Sequence, residues 1–169
     1  MLSLPFFLQE TLERSDVITG LLLTPWPIAT MIIAPLAGRL VERIHAGILG
    51  GIGMTIFATG LFLLAILPSN PTNMDIIWRL FICGSGFGLF QTPNNSTIIS
   101  SAPSNRSGGA SGMLGTARLL GQTLGATQVA MIFYLVPINS SQTCLYLATG
   151  FAAVAAIVSC LRISQPHPL

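Results

Sequence analysis

The chain has 169 residues, 51% of them hydrophobic and only 7% charged, with a mean hydropathy of +0.75. Soluble domains carry about a quarter charged residues, so this composition excludes a water-soluble globule and makes lipid the solvent for most of the chain. Seven basic residues, all of them arginine and scattered singly, stand against five acids, and the net charge of +2 is too small to point to a nucleic-acid partner.

A membrane-crossing helix needs about 20 predominantly apolar residues. Residues 1–9 are too short for the apolar core of a signal peptide and have neither a basic flank nor a small-residue cleavage site, so they read as the stub of an earlier span. Five stretches long enough to cross then follow, at 17–37, 46–67, 76–99, 108–136 and 143–161. Their apolar runs are continuous, whereas barrel strands alternate in segments of about ten residues, which makes the expected fold all-α. The connections at 38–45, 68–73, 101–106 and 137–141 are short, and most are rich in Pro, Gly, Ser and Asn, so neighbouring helices run antiparallel. Arg39, Arg43, Arg106 and Arg162 fall on one side of this arrangement, and Arg14 and Arg79 on the other. Arginine excess marks the cytoplasmic face, which places the 38–45 loop and the C-terminus there.

The second and fifth spans are almost wholly aliphatic and are expected at the periphery, against lipid. The first, third and fourth carry Pro25, Trp26, Pro27 and Pro35, then Gln91, Pro93, Asn94 and Asn95, then Arg118, Gln122, Thr123 and Gln128. Polar side chains at such depth usually face a bundle interior or a wet cavity. Arg118 is the strongest single signal, because an arginine near the bilayer centre carries an insertion penalty of about 2.5–3.5 kcal/mol. It either lines a cavity together with Gln122, one helical turn on, or snorkels to a headgroup or to free backbone carbonyls. Glycine pairs four apart, Gly47 with Gly51, Gly84 with Gly88, Gly108 with Gly112 and Gly121 with Gly125, predict close helix contacts. The run from Gly84 to Gly88 belongs with these rather than with nucleotide loops, since its third glycine comes one place early and no phosphate-binding lysine accompanies it. Pro93 removes a backbone donor and predicts a kink, for gating or for fit. Cys83, Cys144 and Cys160 are odd in number, sit in apolar segments and lack metal-ligand spacing, so they read as core thiols. His45 and His167 lie in a loop and the tail, and every acid lies in a loop or near a membrane boundary. No catalytic constellation, metal site or cofactor motif is expected.

The loop Gly38-Arg39-Leu40-Val41-Glu42-Arg43-Ile44 resembles the cytoplasmic signature Gly-x-Leu-x-Asp-Arg-x-Gly of major facilitator transporters, with Glu42 at the Asp position and His45 at the last Gly. By charge, Glu42 is expected to neutralise Arg39 or Arg43, or to cap a neighbouring helix. The segments Gly86-Phe87-Gly88-Leu89 leading to Pro93, and 111–125 with Arg118 and Gln122, are similar to the fourteen-helix drug:proton antiporters that export quaternary ammonium and viologen cations. The resemblance covers nearly the whole chain but only the second half of that fold. It implies an inner-membrane, multi-pass protein whose partners are the bilayer, a missing N-terminal half and a small cationic amphipathic substrate. It also implies a substrate cavity at Trp26, Phe87, Phe90, Gln91, Asn94, Arg118 and Gln122, with Gly38, Arg39, Glu42 and Arg43 forming the loop motif. The resembling family places the third and sixth helices of each half against lipid, at the two spans that composition makes peripheral. A different class of function stays open, a small multispan structural or assembly protein oligomerising through its glycine faces.

Overall fold

Every regular element among the described residues is helical, as the continuous apolar runs predict. The computed structural model describes residues 3–11, 14–68, 70–103, 106–136 and 140–161; Glu13, Arg162, His167 and residues 137–139 lie outside it, and with them the tail used in the orientation argument. The stub is a short helix α1 (Ser3–Phe6) that runs into one π-helical turn, Phe7–Thr11. Leu4, Phe7 and Leu8 are buried in the core, and the Phe6 ring meets Phe133 edge-on at 5.6 Å.

The first expected span divides into α2 (Asp16–Leu23) and α3 (Pro25–Leu40), joined at Thr24. The cause is local. Pro25 has no N–H to donate to Leu21, so the Thr24 N–H turns to the Leu21 carbonyl at 3.2 Å and the Thr24 hydroxyl donates to Gly20 at 2.9 Å. The stretches of the other four expected spans are helical, as α4 (Ala46–Ala65), α5 (Asn73–Ser100), α6 (Ser107–Leu135) and α7 (Ser140–Leu161). At the start of α5, Thr72 and Asp75 form a reciprocal capping box, with the Thr72 N–H donating to Asp75 Oδ2 at 3.1 Å. Stretches 16–40, 46–65 and 140–161 are long and apolar enough to cross a membrane. Helices α5 and α6, at 28 and 29 residues, have the length, but their polar residues keep them below that apolar content.

Packing corrects the expected division into peripheral and interior helices. Helix α4, expected at the rim, buries the most residues: Leu49, Met54, Ala58, Leu61, Leu64 and Ala65 are among them, with α5 on one side and α7 on the other. Its glycines allow this. Gly53 and Gly60 bring α4 against Gly86 and Cys83 of α5, while Gly50 and Gly51 bring it against Ser159 and Cys160 of α7. The Ser159 hydroxyl donates to the Gly47 carbonyl at 3.3 Å, a buried hydrogen bond between helices. Helix α7 keeps a lipid-type outer face, with Val154, Ile157, Val158 and Leu161 exposed. Helix α6, expected inside, buries none of its residues within this chain. Its glycines at 108, 112, 121 and 125 look onto open space, so those two pairs make no helix contact here.

The Gly84–Gly88 run works on two sides at once. Gly84 and Gly88 admit α3, lying against the Trp26 carbonyl and against Thr30, while Gly86 between them admits α4. The Thr30 hydroxyl bridges α3 and α5, at 3.0 Å from the Trp26 carbonyl and 3.2 Å from that of Gly84. Thr30→Val keeps the shape and removes this donor. A loss of about 0.6–1 kcal/mol is expected, the usual worth of a hydrogen bond between membrane helices, read as a small fall in the thermal midpoint in detergent. Near the other end of α4, Arg79 Nη1 donates to the Leu63 carbonyl at 2.6 Å and its guanidinium lies 5.1 Å from the Trp78 ring. A cation there satisfies a last-turn carbonyl and complements the negative end of the helix.

Candidate functional site

Three half-buried aromatic rings from three helices meet against the core. Trp26 of α3 lies 5.5 Å from Phe57 of α4 and 5.5 Å from Phe87 of α5, and the two phenylalanines are 5.9 Å apart. The near-perpendicular approach of Trp26 to Phe57 sets a positive ring edge against a negative ring face. Trp26 is placed by the helix that restarts at Pro25, and Phe87 by the glycines on either side of it. Two of the sequence-predicted residues, Trp26 and Phe87, are therefore brought together.

Phe57 was not foreseen, because its span read as purely aliphatic. A signal was present in the spacing of Gly53, Phe57 and Gly60, which puts a large ring between small residues on one helix face. Phe90 leans over Gly50, and its backbone passes Gly53. Gln91 and Asn94 are half-buried on α5, and Phe87, Phe90, Gln91 and Asn94 fall on one face by their spacing of three, four and seven. Pro93 is fully buried between them, and its carbonyl accepts from the Thr97 hydroxyl at 2.8 Å.

Arg118 and Gln122 are not brought to this cluster. Both are exposed on α6, and Arg118 has no ion pair or hydrogen bond among the described residues. Gln122 does face a groove of about 930 Å³ between α4, α6 and α7, whose walls include Phe57, Gln128, Ala148 and Phe151. The groove is mostly apolar, with amides and a hydroxyl confined to the α6 side.

The loop motif takes a form different from the one expected. Gly38 lies in the last turns of α3 beside Thr92, and Arg39 and Arg43 are exposed. Glu42 makes no ion pair among the described residues and caps no helix; the cap on α4 is His45, whose Nδ1 accepts from the Gly47 N–H at 3.2 Å. A neutral imidazole nitrogen does here what a side-chain oxygen does at most helix starts. Glu42, Arg43 and His45 line a polar hollow of about 370 Å³ together with Ser96, Thr97 and Ser100 from the end of α5. Among the described residues no group of His, Cys, Asp or Glu is placed to hold a metal ion.

An all-helical chain of this polarity, with glycine-mediated helix contacts and helices long and apolar enough to cross a membrane, is a multi-pass membrane protein. Residues 1–126 match the Major Facilitator Superfamily, and the chain belongs to that family. It is 60% identical over 167 residues to the uncharacterized transporter YebQ of Escherichia coli, covering 99% of this chain and 36% of that protein. It is 34% identical over 119 residues to the multidrug resistance protein Stp of Mycobacterium tuberculosis, covering 70% of this chain and 22% of the relative. The riboflavin transporter RibZ of Clostridioides difficile is 30% identical over 130 residues, covering 77% of this chain and 28% of the relative. The chain thus spans well under half the length of these curated relatives.

Proposed function

We propose that this chain is the C-terminal half of a proton-coupled multidrug efflux transporter of the cell membrane, with five spans and the end of a sixth, and that it does not transport alone. The observation that carries the reading is the division of polar groups between two places. Trp26, Phe87, Phe90, Gln91 and Asn94 belong to the packed α3–α5 side, whereas Arg118 and Gln122 are exposed on α6, Gln122 at the open groove toward α4 and α7. A second half seated against α6 turns these two sets into opposite walls of one central cavity. Aromatic faces with a few amides suit flat, cationic, amphipathic substrates of varied shape. Rocking of one half against the other supplies alternating access. Multidrug relatives such as Stp support the substrate class.

The coupling acid belongs to the other half in this reading. No Asp or Glu occurs between Asp16 and Glu42, between Glu42 and Asp75, or after Asp75 in the sequence, and Asp75 is engaged in the α5 capping box. Arginine keeps its proton at any physiological pH and cannot carry one across.

The test is reconstitution in liposomes under an imposed pH gradient, with a cationic dye as cargo. No gradient-driven dye movement is expected from the chain alone. Movement is expected when it is co-expressed with the part of the E. coli relative that it does not cover. Transport by the chain alone, or none by the pair, overturns the proposal.

A further inference from the structure

We infer that the Arg118 face of α6 is an interface for a membrane-embedded segment that presents a carboxylate at the depth of Arg118. The inference rests on the reading of the chain as part of a longer transporter, and it names the chemistry by which the rest is recognised. Gly115, Arg118, Gln122 and Gly125 follow one another at spacings of three, four and three, so they share one face of the helix. A side chain at either glycine would meet nothing within 4 Å, and both Arg118 and Gln122 are exposed. A polar pair framed by glycines is a surface built for close approach of another helix, since small residues bring backbones together and polar groups then bond across the gap.

The charge specifies that partner. Arg118 lies eleven residues into α6, about 16 Å along its axis at 1.5 Å per residue, farther from the helix start than an arginine side chain reaches by snorkelling. Left in hydrocarbon the guanidinium is costly, and nothing described in this chain offsets it. The described acids are committed or remote: Asp75 caps α5, Glu42 sits in the loop before α4, and Asp16 starts α2. A carboxylate from outside this chain matches the planar fork of the guanidinium with two parallel hydrogen bonds and cancels its charge. The occupant is the portion of the transporter polypeptide that this chain does not represent. About two thirds of the E. coli relative lies outside the match, since the chain covers 36% of it.

The experiment co-expresses the whole chain, carrying a photo-crosslinking phenylalanine analogue at position 122 or at position 154, with the uncovered portion of the E. coli relative. Adducts are expected from position 122 and not from position 154, which sits on the outer face of α7. Arg118→Gln is expected to lower adduct yield about tenfold, Arg118→Lys to fall between that and the unchanged chain because it keeps the charge and loses the fork, and Arg106→Gln, at the N-cap of α6, to change nothing. Where Arg118→Gln does not accumulate in the membrane, charge reversal decides. Arg118→Glu must lose the adduct and regain it when an intramembrane acid of the partner portion is changed to arginine. Unchanged yield in Arg118→Gln, or no rescue in any reversed pair, overturns the inference, and dye efflux by the unchanged pair then leaves the transporter reading standing. No adduct and no efflux from the unchanged pair overturn both.

Discussion

Gly86→Ala is expected to lower the thermal midpoint of the purified chain in detergent sharply, while Gly112→Ala leaves it unchanged or slightly raised. A methyl at Gly86 would overlap the Phe57 nitrogen and come within 2.7 Å of the Gly53 carbonyl oxygen and 2.8 Å of the Phe57 Cα. All three are backbone atoms of α4, so no rotamer change relieves the overlap, and the helices must separate. Overpacking of this kind costs about 1–3 kcal/mol. The effect is reciprocal, because a methyl added at Gly53 would come within 2.7 Å of the Phe90 nitrogen and 2.9 Å of the Gly86 carbonyl oxygen. At Gly112 nothing lies within 4 Å, and the added methyl only improves helix propensity, by about 0.5–1 kcal/mol. Equal midpoints for the two variants would show that α4 and α5 do not meet through their glycines.

Trp26→Ala should produce the other large effect. Its ring contacts both Phe57 and Phe87, so truncation opens a gap shared by α3, α4 and α5. Removing a fully buried tryptophan costs about 3–5 kcal/mol, and for this half-buried ring about 2 kcal/mol is expected. Trp26→Phe keeps an aromatic face and should recover most of the stability. In the co-expressed pair, Trp26→Ala should cut cationic dye efflux at least about tenfold through loss of ring–cation attraction. Trp26→Leu, which fills volume without an aromatic face, should be stable and still poor in transport. Full transport by Trp26→Leu would remove Trp26 from the substrate wall and leave it a packing residue.

The positions of the helices were legible because hydrocarbon imposes a length and a polarity on any segment that crosses it. Four of the five long stretches begin and end within three residues of the expected bounds, and the first differs by a break at Thr24 between two helices of one span. That break was itself signalled by Pro25 and Pro27, whose effect on the hydrogen-bond ladder is local. The capping roles in the 38–45 loop were not legible. Charge pointed to Glu42 as the cap or ion-pair partner, whereas the helix start is held by His45, whose ring the loop happens to bring over the Gly47 N–H.

What the sequence determined by itself was the solvent, the secondary structure and the family resemblance, each of which depends on composition or on residues close in the chain. Which helix stands at the centre was decided only in three dimensions. Aliphatic α4 and glycine-rich α6 look, respectively, like a lipid-facing and an interior helix. Yet α4 is the most deeply packed, because Gly53 and Gly60 face α5 while Gly50 and Gly51 face α7. The glycines of α6 face open space, since no helix of this chain lies over them. A glycine permits close approach without naming the helix that comes close. That choice rests on which backbones the loops and side-chain volumes bring together, and it is a property of the whole assembly rather than of any segment.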